Sequence, residues 1–174
     1  MPGMDDDRHP APTLPEDLAD YTARPATEAD GAALLACARS AYAKYVERNG
    51  LVPVPMRQDY AEVARDWQVT VVERDGEVAA LIVIGPAEEG FLLDNVAVAP
   101  EHQGKGLGRV LLAFAEDEAR RQGFDSIYLY AQEVMVENIA LYEHIGYVEY
   151  ARRREHGLPR VYLRKALEPG AAGC

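Results

Sequence analysis

The stretch "GFLLDNVAVAPEHQGKGLGRVLLAFAEDEARRQG" constrains the fold more than any other. An apolar strand pattern closes at Pro100, passes into a glycine-rich turn, and emerges as an amphipathic helix. In the turn Gly104, Gly106 and Gly108 alternate with Lys105, Leu107 and Arg109. Leu107, Val110, Leu111, Phe114, Glu118 and Arg121 then follow the helical repeat, and Gly123 suits the position just past the helix end. The N–H groups that open a helix lack partners within it, and the helix dipole favours negative charge there. A strand, a glycine loop and a helix N-terminus in succession therefore predict an anion cradle. The glycines let backbone approach a ligand with no Cβ in the way, and Lys105 and Arg109 add positive charge. Two phosphate-binding patterns are excluded by single residues. A Walker loop needs Ser or Thr after its Lys, and Gly106 stands there; a dinucleotide fingerprint counted from Gly104 needs a glycine where Arg109 stands.

The rest of the chain supplies the frame. "YTARPATEADGAALLACARSAYAKYV" reads as a short strand and a helix, with Thr27 and Asp30 spaced as a capping box. Leu34, Leu35, Ala38, Tyr42 and Tyr45 lie at helical spacing, and Asn49-Gly50 ends the run. "MRQDYAEVARDW" reads as a second, shorter helix. "QVTVVERDGEVAALIVIG" is two strands about an Asp75-Gly76 turn. After the glycine-loop helix come the strand "DSIYLYA", the helix "ENIALYEHIGY" ended by Gly146, and a closing hairpin with Gly157–Pro159 at its turn. The order β-α-α-β-β-β-α-β-α-β-β is a mixed α/β pattern, and 174 residues suffice for one domain with its own core. Residues 1–17, rich in Pro and Asp, and residues 168–174 read as flexible tails about a domain of residues 18–167.

Composition removes several classes. No apolar run approaches the length of a membrane span, and the N-terminus lacks the basic and apolar regions of a secretory signal. Two cysteines, one of them the terminal Cys174, make no disulfide framework, and four scattered histidines make no metal site. A cytoplasmic location and no metal are the expectation. The net charge of −11 argues against nucleic acid as a partner and suits a cationic one such as an amine.

The run Gln103-Gly104-Lys105-Gly106-Leu107-Gly108 resembles the [R/Q]-x-x-G-x-[G/A] signature of the GNAT superfamily of N-acetyltransferases. "ENIALYEHIGY" resembles its second signature, an Asn and a Tyr four apart followed by Gly-Tyr. The resemblance implies a GNAT fold: a mixed central sheet of about six to seven strands, helices on both faces, splayed between the fourth and fifth strands. It implies acetyl-CoA as cosubstrate, its pyrophosphate held by Gln103, Gly104, Lys105, Gly106, Leu107, Gly108 and Arg109. The pantetheine arm would lie along Val96, Ala97 and Val98 as an added strand, with a backbone N–H near Val96 facing the thioester oxygen and Asn138 as a further contact. Tyr142 resembles the general acid that protonates the departing thiolate; a phenol of pKa about 10 keeps its proton at neutral pH for that task.

The resemblance implies acetyl transfer to a primary amine of a small molecule by direct attack. A protein N-terminus or lysine is an alternative acceptor, and a non-catalytic acyl-CoA sensor is an alternative function. The histone-acetylating branch places a Glu base on the fourth strand; Leu92 stands at that position, so Asp94, Glu89, Glu133 and Glu137 are the acids left to consider. Tyr42, Tyr45, Arg48 and Asp59 are candidates for an acceptor wall. Arg152, Arg153 and Arg154 read as a solvated strand face, or as a site for an acidic group. Homodimerisation, common in that family, is the assembly to test.

Overall fold

The structure is a computed structural model and describes residues 9–50 and 52–169. The Asp-rich start through Arg8, Cys174 and the last residues of the C-terminal tail lie outside the described residues. Among the described residues seven strands form one sheet in the order β1-β2-β3-β4-β5-β7-β6. They are β1 Thr22–Pro25, β2 Gln68–Arg74, β3 Glu77–Ala87, β4 Gly90–Val98, β5 Ser126–Gln132, β6 Val148–Glu155 and β7 Leu158–Ala166. Four α-helices accompany them among the described residues: α1 Gly31–Asn49, α2 Tyr60–Asp66, α3 Leu107–Arg121 and α4 Val136–His144. The element order is the one the sequence predicts, and the parallel β4–β5 pair makes the sheet mixed. That ladder is short, with Phe91 opposite Ile127 and Leu92 opposite Tyr128, although β4 runs on to Val98 and β5 to Gln132.

The chain divides into two compact units. One takes the described residues through Val83 together with Asn95–Leu112; the other takes Ile84–Asp94 and the described residues from Ala113 onward. In the first unit Leu34, Cys37 and Ala38 of α1 and Tyr60 of α2 pack with Val69, Val71, Leu81, Val83, Ala97 and Ala99 of the sheet. Burial pushes the Cys37 thiol up to about 11, which keeps it protonated and inert. Asp75 and Gly76 both have positive φ (53° and 78°), the mirror-image turn that suits the twist of a hairpin. In the second unit β5 pairs antiparallel with β7 along all of β5, Ser126 opposite Ala166 through Gln132 opposite Arg160, and β6 pairs on the outer side of β7. Ile127, Leu129, Val161 and Leu163 are buried there.

Local chemistry moves three boundaries from their predicted places. The Thr27–Asp30 box forms, with the Thr27 N–H donating to Asp30 Oδ2 at 2.7 Å, but it closes a 3-10 turn, Glu28–Asp30, that leads into α1. α2 starts at Tyr60 rather than Met56, because Asp59 caps it, accepting from the N–H groups of Ala61 (3.1 Å) and Glu62 (3.4 Å). The closing hairpin turns on His156 and Gly157, both at positive φ, and Pro159 already pairs with Arg154 inside the ladder. At the other end, the predicted N-terminal tail gives way to a 3-10 turn, Glu16–Leu18, with Leu18 buried.

Candidate active site

In the first unit the site is built from the end of β4 outward. Asn95, Ala97 and Ala99 are buried, while Val96 and Val98 alternate with them half-buried. The Ala99 N–H donates to the Ala79 carbonyl of β3 at 2.8 Å. By the two-residue repeat of a strand, Val96 and Val98 direct their backbone groups to the opposite edge. Two side chains meet them. Gln103 Nε2 donates to the Val98 carbonyl at 3.0 Å, and the Tyr42 hydroxyl donates to the Val96 carbonyl at 3.3 Å.

The glycine run follows. Gly104 and Gly106 hold φ of 78° and 93°, and the space where a Cβ would stand is open to 4 Å at both. Gly108 differs, sitting in the first turn of α3 with ordinary φ, where a Cβ would touch Val98 Cγ2 at 3.8 Å. Val110 N–H donates to the Gly106 carbonyl at 3.1 Å and opens the helical ladder. The N–H groups of Leu107, Gly108 and Arg109 thus have no partner within the helix. Leu107 is buried and anchors the helix, whereas Lys105 and Arg109 are exposed. Upstream, His102 Nδ1 shares a 2.8 Å hydrogen bond with the Tyr21 hydroxyl. Open space beside two left-handed glycines, three helix-opening N–H groups and two exposed cations give this turn the chemistry to receive an anion.

In the second unit α4 carries Asn138 and Tyr142, four residues apart on one face and both half-buried. The Tyr142 carbonyl accepts from the N–H groups of Ile145 (3.2 Å) and Tyr147 (3.0 Å), and Gly146 turns the chain with φ of 110°. A Cβ on Gly146 would meet Lys165 Cε at 3.1 Å. This turn lays Tyr147 edge-on against Tyr142, with ring centres 5.7 Å apart. Tyr147 is buried and its hydroxyl has no hydrogen-bond partner. Burial, then nearby Glu116 and Tyr142, hold that phenol far above its ordinary pKa.

The acids separate by environment. Glu89 accepts from both Arg153 guanidinium nitrogens at 2.8 and 3.0 Å, which holds its carboxyl below the usual range. Glu133 pairs with Arg152 at 3.0 Å. Asp94 is half-buried, and burial pushes its carboxyl up against the opposing pull of Tyr130 and Arg160. Tyr130 donates to Asp94 Oδ1 at 3.4 Å, and burial pushes its own phenol up to about 12. Leu92 is buried. The three arginines of β6 are engaged within the chain: Arg152 also binds Glu149, and Arg154 donates to the Gly157 carbonyl. Arg153 in addition lies over the Tyr162 ring, 4.3 Å from its centre.

The candidate wall residues are equally divided. Tyr45 is buried, Arg48 is exposed and Asp59 caps α2. Two residues absent from the sequence-based set stand out instead. Asn95 and Tyr60 are buried and bonded to each other, with Tyr42 joining them. The signal for Asn95 was a lone amide in an apolar strand; nothing in sequence singled out Tyr60. Among the described residues no cluster of three or more His, Cys, Asp or Glu could hold a metal, and no helix is long and apolar enough to cross a membrane.

The sequence pattern of the acetyltransferase (GNAT) family matches residues 35–147. A mycothiol acetyltransferase of Beutenbergia cavernae is 32% identical over 138 residues, 76% of this chain and 46% of that protein. The chain spans about half the length of the curated relatives it matches. A ribosomal-protein-alanine N-acetyltransferase of Brucella melitensis is 32% identical with a TM-score of 0.60, covering 84% of this chain and 99% of that one. The yncA protein of Salmonella typhimurium, solved with its cofactor acetyl-CoA, is 25% identical with a TM-score of 0.60, covering 89% and 99%.

Proposed function

The chain belongs to the acetyltransferase (GNAT) family, a family of acetyl-CoA-dependent enzymes, and on that premise we propose that it moves acetyl from acetyl-CoA to a primary amine of a small molecule in the cytoplasm. The observation that carries the reading is the pair of left-handed glycines, 104 and 106, opening α3 beside Lys105 and Arg109. These residues, with Gln103, Leu107 and Gly108, would hold the pyrophosphate. The backbone of Val96, Ala97 and Val98 would hold the pantetheine arm, with Asn138 as a further contact. The acetyltransferase domain is assigned to residues 18–167.

The chemistry asks the protein to orient the thioester, steady its oxygen and manage two protons. A backbone N–H near Val96 faces the thioester oxygen. As the amine nitrogen bonds the carbonyl carbon and the carbon–sulfur bond breaks, the Tyr142 hydroxyl gives its proton to the sulfur. Of the acids whose surroundings are described above, Asp94 is best suited to take the amine proton, since Glu89 and Glu133 are bound to arginines and a raised carboxyl pKa makes a better base.

A protein N-terminus is the second acceptor reading, favoured by the 32% identity to a ribosomal-protein-alanine N-acetyltransferase. Thermal melting with acetyl-CoA, and with ATP as control, tests the cosubstrate. Saturation near 100 times Kd adds about 2.7 kcal/mol, a rise of roughly 5–10 °C for a chain of this size. Thiol release over small amines and N-terminal peptides then identifies the acceptor. Tyr142→Phe should lose turnover and keep the acetyl-CoA shift; undiminished turnover removes Tyr142 from the acid role, and no shift in the wild-type protein removes the enzyme reading.

A further inference from the structure

A chain of hydrogen bonds, buried at Asn95 and Tyr60 and half-buried at Tyr42, runs through the first unit with no part in the pyrophosphate grip. Tyr60 donates its hydroxyl to the Pro55 carbonyl at 2.6 Å. Asn95 Nδ2 donates to the Tyr60 oxygen at 3.0 Å, and the Tyr42 hydroxyl donates to Asn95 Oδ1 at 2.7 Å. The same Tyr42 hydroxyl lies 3.3 Å from the Val96 carbonyl. Asn95 and Tyr60 are 4% and 1% exposed. Burying an amide and a phenol costs free energy unless their polar groups are met, so an apolar residue would be the simpler filling at Asn95. The network joins α1, α2 and the turn before α2 to the one strand position whose backbone faces the thioester.

The outcome at that position is specific. Val96 and Val98 turn both their N–H and C=O groups to the same edge of β4. The Val98 carbonyl accepts from Gln103, and the Val96 carbonyl takes the longer, 3.3 Å branch of the single Tyr42 proton, whose 2.7 Å branch goes to Asn95 Oδ1. An ordinary strand edge offers donors and acceptors alternately. Here both acceptors are already engaged, and the edge is biased toward giving N–H groups to a carbonyl oxygen. Tyr42 contacts Val96 on the residue's own carbonyl and, through Asn95, on the residue before it, which fixes the Val96 backbone from two sides.

We propose that Tyr42 is a positioning residue for acetyl transfer: held by Asn95 and Tyr60, its hydroxyl fixes Val96 so that the Val96 N–H meets the thioester oxygen. The proposal rests on the acetyl-CoA reading of β4 given above, and it concerns the thioester end of that ligand alone. S-ethyl-CoA, a thioether with no carbonyl oxygen, separates the two. Titration calorimetry on wild-type protein should give acetyl-CoA an affinity about five- to tenfold above S-ethyl-CoA, the share of one well-placed hydrogen bond. In Tyr42→Phe the gap should shrink to within twofold, with S-ethyl-CoA affinity unchanged. Asn95→Leu, which removes both the oxygen that Tyr42 bonds and the bond to Tyr60, should shrink the gap likewise, and it decides the matter if Tyr42→Phe does not fold. A gap that persists in Tyr42→Phe or in a folded Asn95→Leu, or that is absent from the wild type, overturns the proposal while leaving acetyl-CoA binding in place. Equal weakening of both ligands in Tyr42→Phe assigns Tyr42 a merely structural role and overturns it too. Failure of wild-type protein to bind either ligand overturns the cosubstrate reading and this inference with it.

Discussion

Glycines 106 and 108 look alike in sequence and do different work. Gly106 holds φ of 93° in open space, so a methyl group there meets no atom yet strains the backbone by about 1–2 kcal/mol. Gly106→Ala should lower the melting temperature by roughly 2–6 °C and weaken acetyl-CoA about tenfold, measured by thermal shift and calorimetry. Gly108→Ala should bind as before and melt no lower, since its backbone is helical, Val98 Cγ2 is 3.8 Å away and alanine is the better helix former. A second residue-scale expectation concerns acid. Arg24 binds both oxygens of Asp30 at 2.8 Å and holds that carboxyl at about 2. A depressed carboxyl stabilises the fold above its unfolded pKa near 4 and loses that contribution as pH falls toward 2. Because Arg24 is partly exposed, the contribution is on the order of 1–2 kcal/mol. Urea melts from pH 6 to pH 2 should show this loss in the wild type and not in Asp30→Asn, which starts lower.

At the scale of elements, patterning and turn chemistry carried the reading. Alternating apolar residues, Asp75-Gly76, Asn49-Gly50 and the two signatures place every strand and helix in order, because each signal is local. The boundaries that moved depend on single side chains whose partner is a choice between neighbours, as with Asp59 capping α2. The site was legible where backbone conformation demands glycine. It was not legible where the partners lie far apart in sequence: Tyr42 and Asn95 are separated by 53 positions, Asn95 and Tyr60 by 35. Arg152–Arg154 looked available for an acidic group for the same reason, since Glu89, 64 positions from Arg153, is brought beside it only by folding. On α4, the Gly146 turn sets Tyr147 against Tyr142. Gly146→Ala, strained by its φ and by Lys165 Cε at 3.1 Å, should reduce turnover and lower the melting temperature while acetyl-CoA affinity falls less than threefold.

The whole molecule is acidic, with a net charge of −11, yet the proposed ligand is an anion. Lys105 and Arg109 must offset a repulsive field at the one place where it matters, and exposed charges act over about 10 Å at 0.1 M salt. Acetyl-CoA affinity should fall as salt rises from 50 to 500 mM, and a Lys105→Ala, Arg109→Ala double variant should bind more weakly with a flatter salt response. Turnover of a cationic amine should also decline with salt, unlike that of a neutral one.

The sheet ends on β1 at one side and β6 at the other. β1 is four residues long and closes with Pro25. β6 carries Val148 and Tyr150 exposed, a surface that could template another chain. Arg152 and Arg153, tied to Glu89, Glu133 and Glu149, line that strand with fixed charge of both signs. A stranger approaching edge-to-edge would have to strip water from those pairs before gaining one ladder bond. Arg152 and Arg153 thus put a desolvation cost on edge pairing, and exchanging both for threonine should raise turbidity on concentration and warming relative to the parent protein.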